Sequence, residues 1–150
     1  MNEKIFPTMN IIHGAMVTGM ILFFAVLVFL QSGLPSAETD FSSPLMYVAI
    51  FLTVFALAFN FLIYPGRIEK VKTGNSSAHG KVTNWKTIFL IRCAITEGAA
   101  LFCLAGMFVE ESAVFMYLFF ALLVLFISFF PSRNKIQSEL ELSSEEVAEL

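Results

Sequence analysis

Ile88-Phe-Leu-Ile-Arg-Cys-Ala-Ile-Thr-Glu-Gly-Ala-Ala-Leu-Phe-Cys-Leu-Ala-Gly-Met-Phe-Val109 is an apolar run broken by two charges, Arg92 and Glu97. As a helix it rises about 33 Å, enough to cross the roughly 30 Å hydrocarbon core of a bilayer. Insertion scales put an acidic residue at a helix centre at about 2.5 to 3.5 kcal/mol unfavourable. Glu97 is therefore the first candidate for a functional residue. Arg92 is about 140° away around the helix, so the two are not an intrahelical pair of the i, i+4 kind. Arg92 lies near the start of the run, within reach of the interface by snorkelling.

The rest of the chain has the same character. Its 150 residues are 57% hydrophobic and 14% charged, with a mean hydropathy of +0.79. That composition belongs to membrane proteins rather than soluble domains. Three further runs have spanning length, Ile11–Leu30, Leu45–Tyr64 and Ala113–Phe130. The first is too long for the apolar segment of a cleavable signal and reads as a retained helix. The expected fold is all-α, a four-helix transmembrane bundle within residues 1–135, followed by an acidic tail over 136–150.

Charge sets the expected orientation. The segment between the second and third runs carries Arg67, Lys70, Lys72, Lys81 and Lys86 against Glu69. Lys4 precedes the first run, and Arg133 and Lys135 follow the last. The other two connections carry Glu38, Asp40, Glu110 and Glu111. The positive-inside rule then makes both termini cytoplasmic, with the bacterial inner membrane as the expected location. The segment around Thr73–Gly80 reads as a flexible basic loop that anchors topology, with a partner-binding or lipid-phosphate loop as the alternative and His79 solvated. In the tail, Ser143 and Glu146 have capping-box spacing, but a helix that short is marginal in water.

The third run resembles the first. Ile12–Phe23 aligns without gaps on Ile91–Phe102, with identities at Ile, Ala, Gly, Leu and Phe. The second and fourth runs end alike, Tyr64-Pro-Gly-Arg67 against Phe130-Pro-Ser-Arg133. This suggests two tandem helical hairpins related by an axis along the membrane normal. Both copies hold a small-xxx-small pair, Ala15 with Gly19 and Ala94 with Gly98, expected to bring the first and third helices together. Thr18 then shares a layer with Glu97, His13 shares one with Arg92, and Asn60 comes within reach of the latter.

Three roles for Glu97 stay open: a hydrogen-bonded group joining helices or protomers, a proton or Na⁺ site, and part of a lipid or small-ligand pocket. No nucleophile motif, acidic dyad or phosphate loop points to catalysis, so an enzyme is not expected. No metal-ligand spacing or cofactor motif is present, and no basic groove interleaved with aromatics suggests nucleic acid. Cys93 and Cys103 read as packing residues. Ten residues separate them, about 15 Å along a helix, too far for a disulfide.

The stretch Arg92-x-Ala94-x-x-Glu97-Gly98-Ala99-Ala100-Leu101-Phe102 is similar to one found in small four-helix bacterial membrane proteins. Paired hairpins with a buried carboxylate also resemble, weakly, the proteolipids of rotary ATPases. That resemblance implies an ion-binding role for Glu97. The chain departs from it in having bulky, phenylalanine-rich helices and in placing the carboxylate on the first helix of its hairpin. The overall expectation is a non-enzymatic membrane protein that packs as a homo-oligomer or within a larger membrane complex. The alternative is a proton- or Na⁺-translocating, proteolipid-like subunit.

Overall fold

The structure is a computed structural model that describes residues 5–35, 43–75 and 77–141. Lys4, Glu38, Asp40 and the Ser143–Glu146 capping pair lie outside the described residues. Helix α1 runs over Ile5–Leu30 and α2 over Pro44–Ala58. A π-helical turn at Phe59–Ile63 joins α2 to α3, Tyr64–Thr73. Then come α4 over Ala78–Glu110, α5 over Ala113–Ile127 and α6 over Arg133–Leu140. No strand occurs among the described residues.

Three of these helical stretches are long and apolar enough to cross a membrane: Pro7–Leu30, Pro44–Thr73 and Ala78–Glu110. They mark the chain as a membrane protein. The fourth expected span is shorter than its sequence suggests. Helix α5 has 15 residues, a rise of about 22 Å. Its apolar run ends in turns at Ser128 and Phe129 rather than as helix to Phe130.

Helix α4 is the axis of the molecule. Its buried side includes Val82, Trp85, Phe89, Cys93, Ala100, Cys103, Leu104 and Met107. Helix α5 packs antiparallel along its second half. Buried Phe115, Phe119, Leu122 and Phe126 recur at i, i+4, i+7 and i+11, one helical face. Helices α1 and α2 each pack on the α4–α5 pair and hardly touch one another. The two arms of the first hairpin are thus held by α4 and α5, not by each other.

The small-residue contact lies elsewhere than the sequence suggests. Ala15, Gly19, Ala94 and Gly98 are all exposed, and a Cβ added at either glycine would meet nothing within 4 Å. They do not join α1 to α4. Instead α2 presents buried Met46, Ala49, Thr53, Ala56 and Asn60 along one face. The buried side of α4 that receives it holds Thr96 and Cys103: Asn60 Nδ2 lies 3.1 Å from Thr96 Oγ1, and Thr53 Oγ1 lies 4.0 Å from Cys103 Sγ. Alanines on α2 and α4 let the backbones approach, which is how helices gain contact in lipid. Both cysteines are free and buried, as packing residues.

The basic segment is helical, not a loop. Residues 64–73 and 78–87 extend α2 and α4 beyond the apolar zone. Pro65 does not stop the chain because it falls in the first turn of α3, where its missing N–H costs least. The turn before it widens to π geometry, with Tyr64 N–H bonded to the Phe59 carbonyl. That spares the Phe61 carbonyl a clash with the proline ring. Ser77 caps α4 by accepting from Gly80 N–H at 3.3 Å. Residues 136–140 belong to α6, whose Ile136 and Leu140 are buried. This part of the expected tail is docked against α3 and α4.

The end away from the basic residues is closed by polar caps. Gln31 Nε2 donates to the Met107 and Phe108 carbonyls at 3.3 and 3.2 Å, adding a side-chain donor in the last turn of α4; the Met107 carbonyl also accepts from Glu111 N–H at 3.0 Å. Ser43 Oγ donates to Glu110 Oε1 at 2.8 Å. Glu111 takes a left-handed conformation, φ 50°, to turn α4 into α5.

The α4–α5 contact is tightest at Gly106. A Cβ there would fall 2.4 Å from Phe115 Cε1 and 2.5 Å from Cδ1. Gly106→Ala is expected to lower stability by about 1 to 3 kcal/mol through overpacking. Thermal unfolding in detergent should show the loss, and Phe115→Leu should restore part of it.

Candidate functional site

The best-built polar cluster lies where the apolar zone meets the basic end. The Arg92 side chain is only 8% exposed, on the face of α4 that meets the π-helical turn. Its Nε donates to Asn60 Oδ1. Asn60 Nδ2 in turn donates to Thr96 Oγ1 at 3.1 Å and to the Ala56 carbonyl at 2.6 Å. Thr96 Oγ1 donates to the Arg92 carbonyl at 3.0 Å. The loop of bonds therefore begins and ends on Arg92. The π-helical turn holds Asn60 on the buried side.

The guanidinium is sandwiched between rings. Its central carbon lies 4.1 Å from the Tyr64 ring centroid and 3.5 Å from that of Phe129. A cation over an aromatic face gains about 0.5 to 2 kcal/mol, more as water is excluded. Tyr64 comes from the turn after the π segment, Phe129 from the bend after α5. Arg92 thus ties two separate segments to α4, the α2–α3 junction and the bend after α5.

Glu139 of α6 completes the arrangement. Its Oε2 accepts from Tyr64 Oη at 2.8 Å and from Trp85 Nε1 at 2.6 Å. Lys72 Nζ reaches Glu141 Oε1 at 2.7 Å, fastening the end of α6 to α3. On α6, burial holds the Lys135 ammonium below the ordinary lysine range, and the Arg92 charge pushes the same way, with Glu139 opposing. The surroundings of Arg92 are thus net acceptor-rich on the Glu139 side and crowded by cations on the Lys135 side.

His13 joins the same layer from α1. Its Nε2 lies 3.0 Å from the Phe126 carbonyl oxygen. The ring stacks on Phe126 at 4.8 Å and meets Phe130 edge-on at 5.9 Å. Phe89 approaches at 6.2 Å and itself stacks on Trp85 at 5.1 Å. A band of aromatic rings therefore connects His13 to Trp85 beneath Arg92.

Of the residues singled out in the sequence, the structure brings Asn60 and Arg92 into contact and sets His13 in the neighbouring aromatic band. Arg92 is buried rather than snorkelling, because Asn60, Tyr64 and Phe129 enclose it. Thr18 is exposed on α1 and is not bonded to Glu97. Glu97 is half-buried, and no hydrogen bond or ion pair reaches it from the described residues. It shares the open face of α4 with Ala94, Gly98 and Leu101. Tyr64, Trp85, Phe129 and Glu139 were not evident as site residues in the sequence. The available signal for α6 was Pro131-Ser132 followed by apolar Ile136 and Leu140, a helix start with an i, i+4 stripe.

Chemically the cluster is a lock. Among the described residues no three His, Cys, Asp or Glu side chains come together as a metal site. Glu139, bonded to Tyr64 and Trp85, holds α6 onto α3 and α4. Trp85, the one tryptophan of the chain, is fully buried and reports on this contact directly. Glu139→Ala is expected to shift its fluorescence emission to the red and to open it to acrylamide quenching, while Glu141→Ala leaves both near the wild-type values.

Comparison with protein-family models, with curated proteins and with solved structures finds no match to this chain.

Proposed function

We propose that this is a non-enzymatic membrane protein with four spans that assembles with further copies of itself. Both termini face the cytoplasm in this reading. Support for the orientation is the clustering of Arg67, Lys70, Lys72, Lys81 and Lys86 at one end of the molecule, opposite Glu110 and Glu111. Support for the fourth span is the course of α5. It starts beside the last turn of α4 and leads to α6, which packs on α3 and α4 at the basic end. In this reading α5, though only 15 residues long, crosses together with the turns that follow it.

The observation that carries the assembly reading is the open setting of Glu97. It lies 13 residues before Glu110, about 20 Å along α4 from the acidic end. At that depth, polar groups need partners inside the protein. No described residue of the same chain supplies one, and Ala94 and Gly98 beside it leave room for close approach. Counting back along α1 from Gln31, which bonds Met107 and Phe108, Thr18 lies within about one turn of the depth of Glu97. A second copy that lays its exposed α1 face, with Ala15, Thr18 and Gly19, on α4 brings a hydroxyl level with the carboxylate. Contacts of this head-to-tail type close into rings when the rotation permits.

Native mass spectrometry in mild detergent tests this. Wild type and Glu97→Gln are expected to be oligomeric, and Glu97→Leu and Gly98→Leu to dissociate. Monomeric wild type, or variants with unchanged mass distributions, would falsify the assembly reading. Carbodiimide labelling of Glu97 that Na⁺ or raised pH prevents transfers the assignment to the ion-translocating, proteolipid-like reading.

A further inference from the structure

Outside the Arg92 cluster and the Glu97 face, one surface feature combines charge with apolar walls. Between α3 and α4 at the basic end is an open groove of about 380 Å³, lined by Arg67, Lys70, Val71 and Ile88. Arg67 and Lys70 are exposed and three residues apart, on one side of α3. Among the described residues neither forms an ion pair. Lys72, by contrast, is taken up by Glu69 at 3.6 Å and Glu141 at 2.7 Å. Two unneutralised cations therefore converge on one cavity.

The walls continue into the apolar zone. Ile63 lies one turn before Arg67 and is 40% exposed. Ile91 lies one turn after Ile88 and is 41% exposed. Residues spaced by three or four share a helix face. The groove thus has a cationic mouth at the level where the apolar run of α4 begins, and below it a track of exposed isoleucines. A free phosphate would use only the mouth. An amphiphile with a phosphate head and acyl chains uses both parts.

We propose that this groove binds the headgroup phosphate of an anionic phospholipid, with Arg67 and Lys70 on the phosphate and an acyl chain along Ile63 and Ile91. Basic pockets at the cytoplasmic ends of membrane helices suit such headgroups. Lys86 provides the internal control. It carries the same charge but lies two residues, about 200° around α4, from Ile88, and it does not line the groove. Ile91 lies on the same side of α4 as Ala94 and Gly98, so the acyl track ends where the proposed assembly face begins, and the test therefore varies the headgroup cations.

The test is lipid retention by the full chain in mild detergent, read by native mass spectrometry after addition of phosphatidylglycerol or phosphatidylcholine. Wild type and Lys86→Gln are expected to keep phosphatidylglycerol in preference. Each lost cation should weaken binding about fivefold, so Lys70→Gln falls roughly fivefold and Arg67→Gln/Lys70→Gln about 25-fold. Should the double variant not fold, the single variant decides. Undiminished retention in Lys70→Gln, or an equal loss in Lys86→Gln, overturns the proposal. Displacement of the lipid by millimolar inorganic phosphate assigns the groove to free phosphate and overturns the lipid assignment.

Discussion

A guanidinium withdrawn from water must be given acceptors and polarisable neighbours, or the bundle around it will not close. Arg92 meets that requirement in an unusual position, under the junction of α2 and α3. Its acceptor is Asn60, and Asn60 faces inward from the π-helical turn that precedes Pro65. The rings above and below come from Tyr64 and Phe129. Tyr64 then engages Glu139, and Glu139 holds Trp85. A single charge on α4 thus orders the turn after α2, the bend after α5 and the docking of α6. The π-helical turn is costly in ladder geometry, and such turns gather at functional positions. Here its effect is to aim one amide at one cation.

The acidic end depends on different chemistry. There, backbone carbonyls at the end of α4 are capped by Gln31, and Ser43 bonds Glu110. Between the two ends, contact comes from shape. Alanine and threonine on α2 meet the buried side of α4, and Gly106 admits the Phe115 ring. The bundle is accordingly pinned by polar groups at both rims and closed by small residues in between. This suits an environment in which apolar side chains gain nothing by leaving one hydrocarbon medium for another.

The apolar runs at 11–30, 45–64 and 88–109 were legible because a membrane helix must be apolar over a fixed length, whatever it packs against. Two features were hidden for physical reasons. The helices continue through Arg67–Thr73 and Ala78–Lys86 because water satisfies a helix as readily as a loop, so polarity alone did not mark an end. Spacing alone points to Ala15, Gly19, Ala94 and Gly98 as the small-residue contact, because it defines a smooth face but not its partner. The pattern Ala49, Thr53, Ala56, Asn60 has the same spacing on α2, and only the packing distinguishes the two. Arg92 and Asn60 were singled out by polarity. Their contact depends on the π turn, which no single residue encodes. Glu139, a glutamate in an acidic stretch, reads as solvated until Trp85 and Tyr64, which bond it, are in place.

Arg92 and Glu97 show how rotation divides labour on one helix. Five residues apart, they point about 140° from each other. The cation faces the chain's own helices and is consumed in folding. The carboxylate faces outward, beside residues too small to cover it. Had they been four residues apart, they would have neutralised each other within α4. Arg92 would then have had a carboxylate on its own helix as well as Asn60. Their separation leaves Arg92 to join the chain's own helices on the buried side of α4 and Glu97 on its open face, without a partner among the described residues.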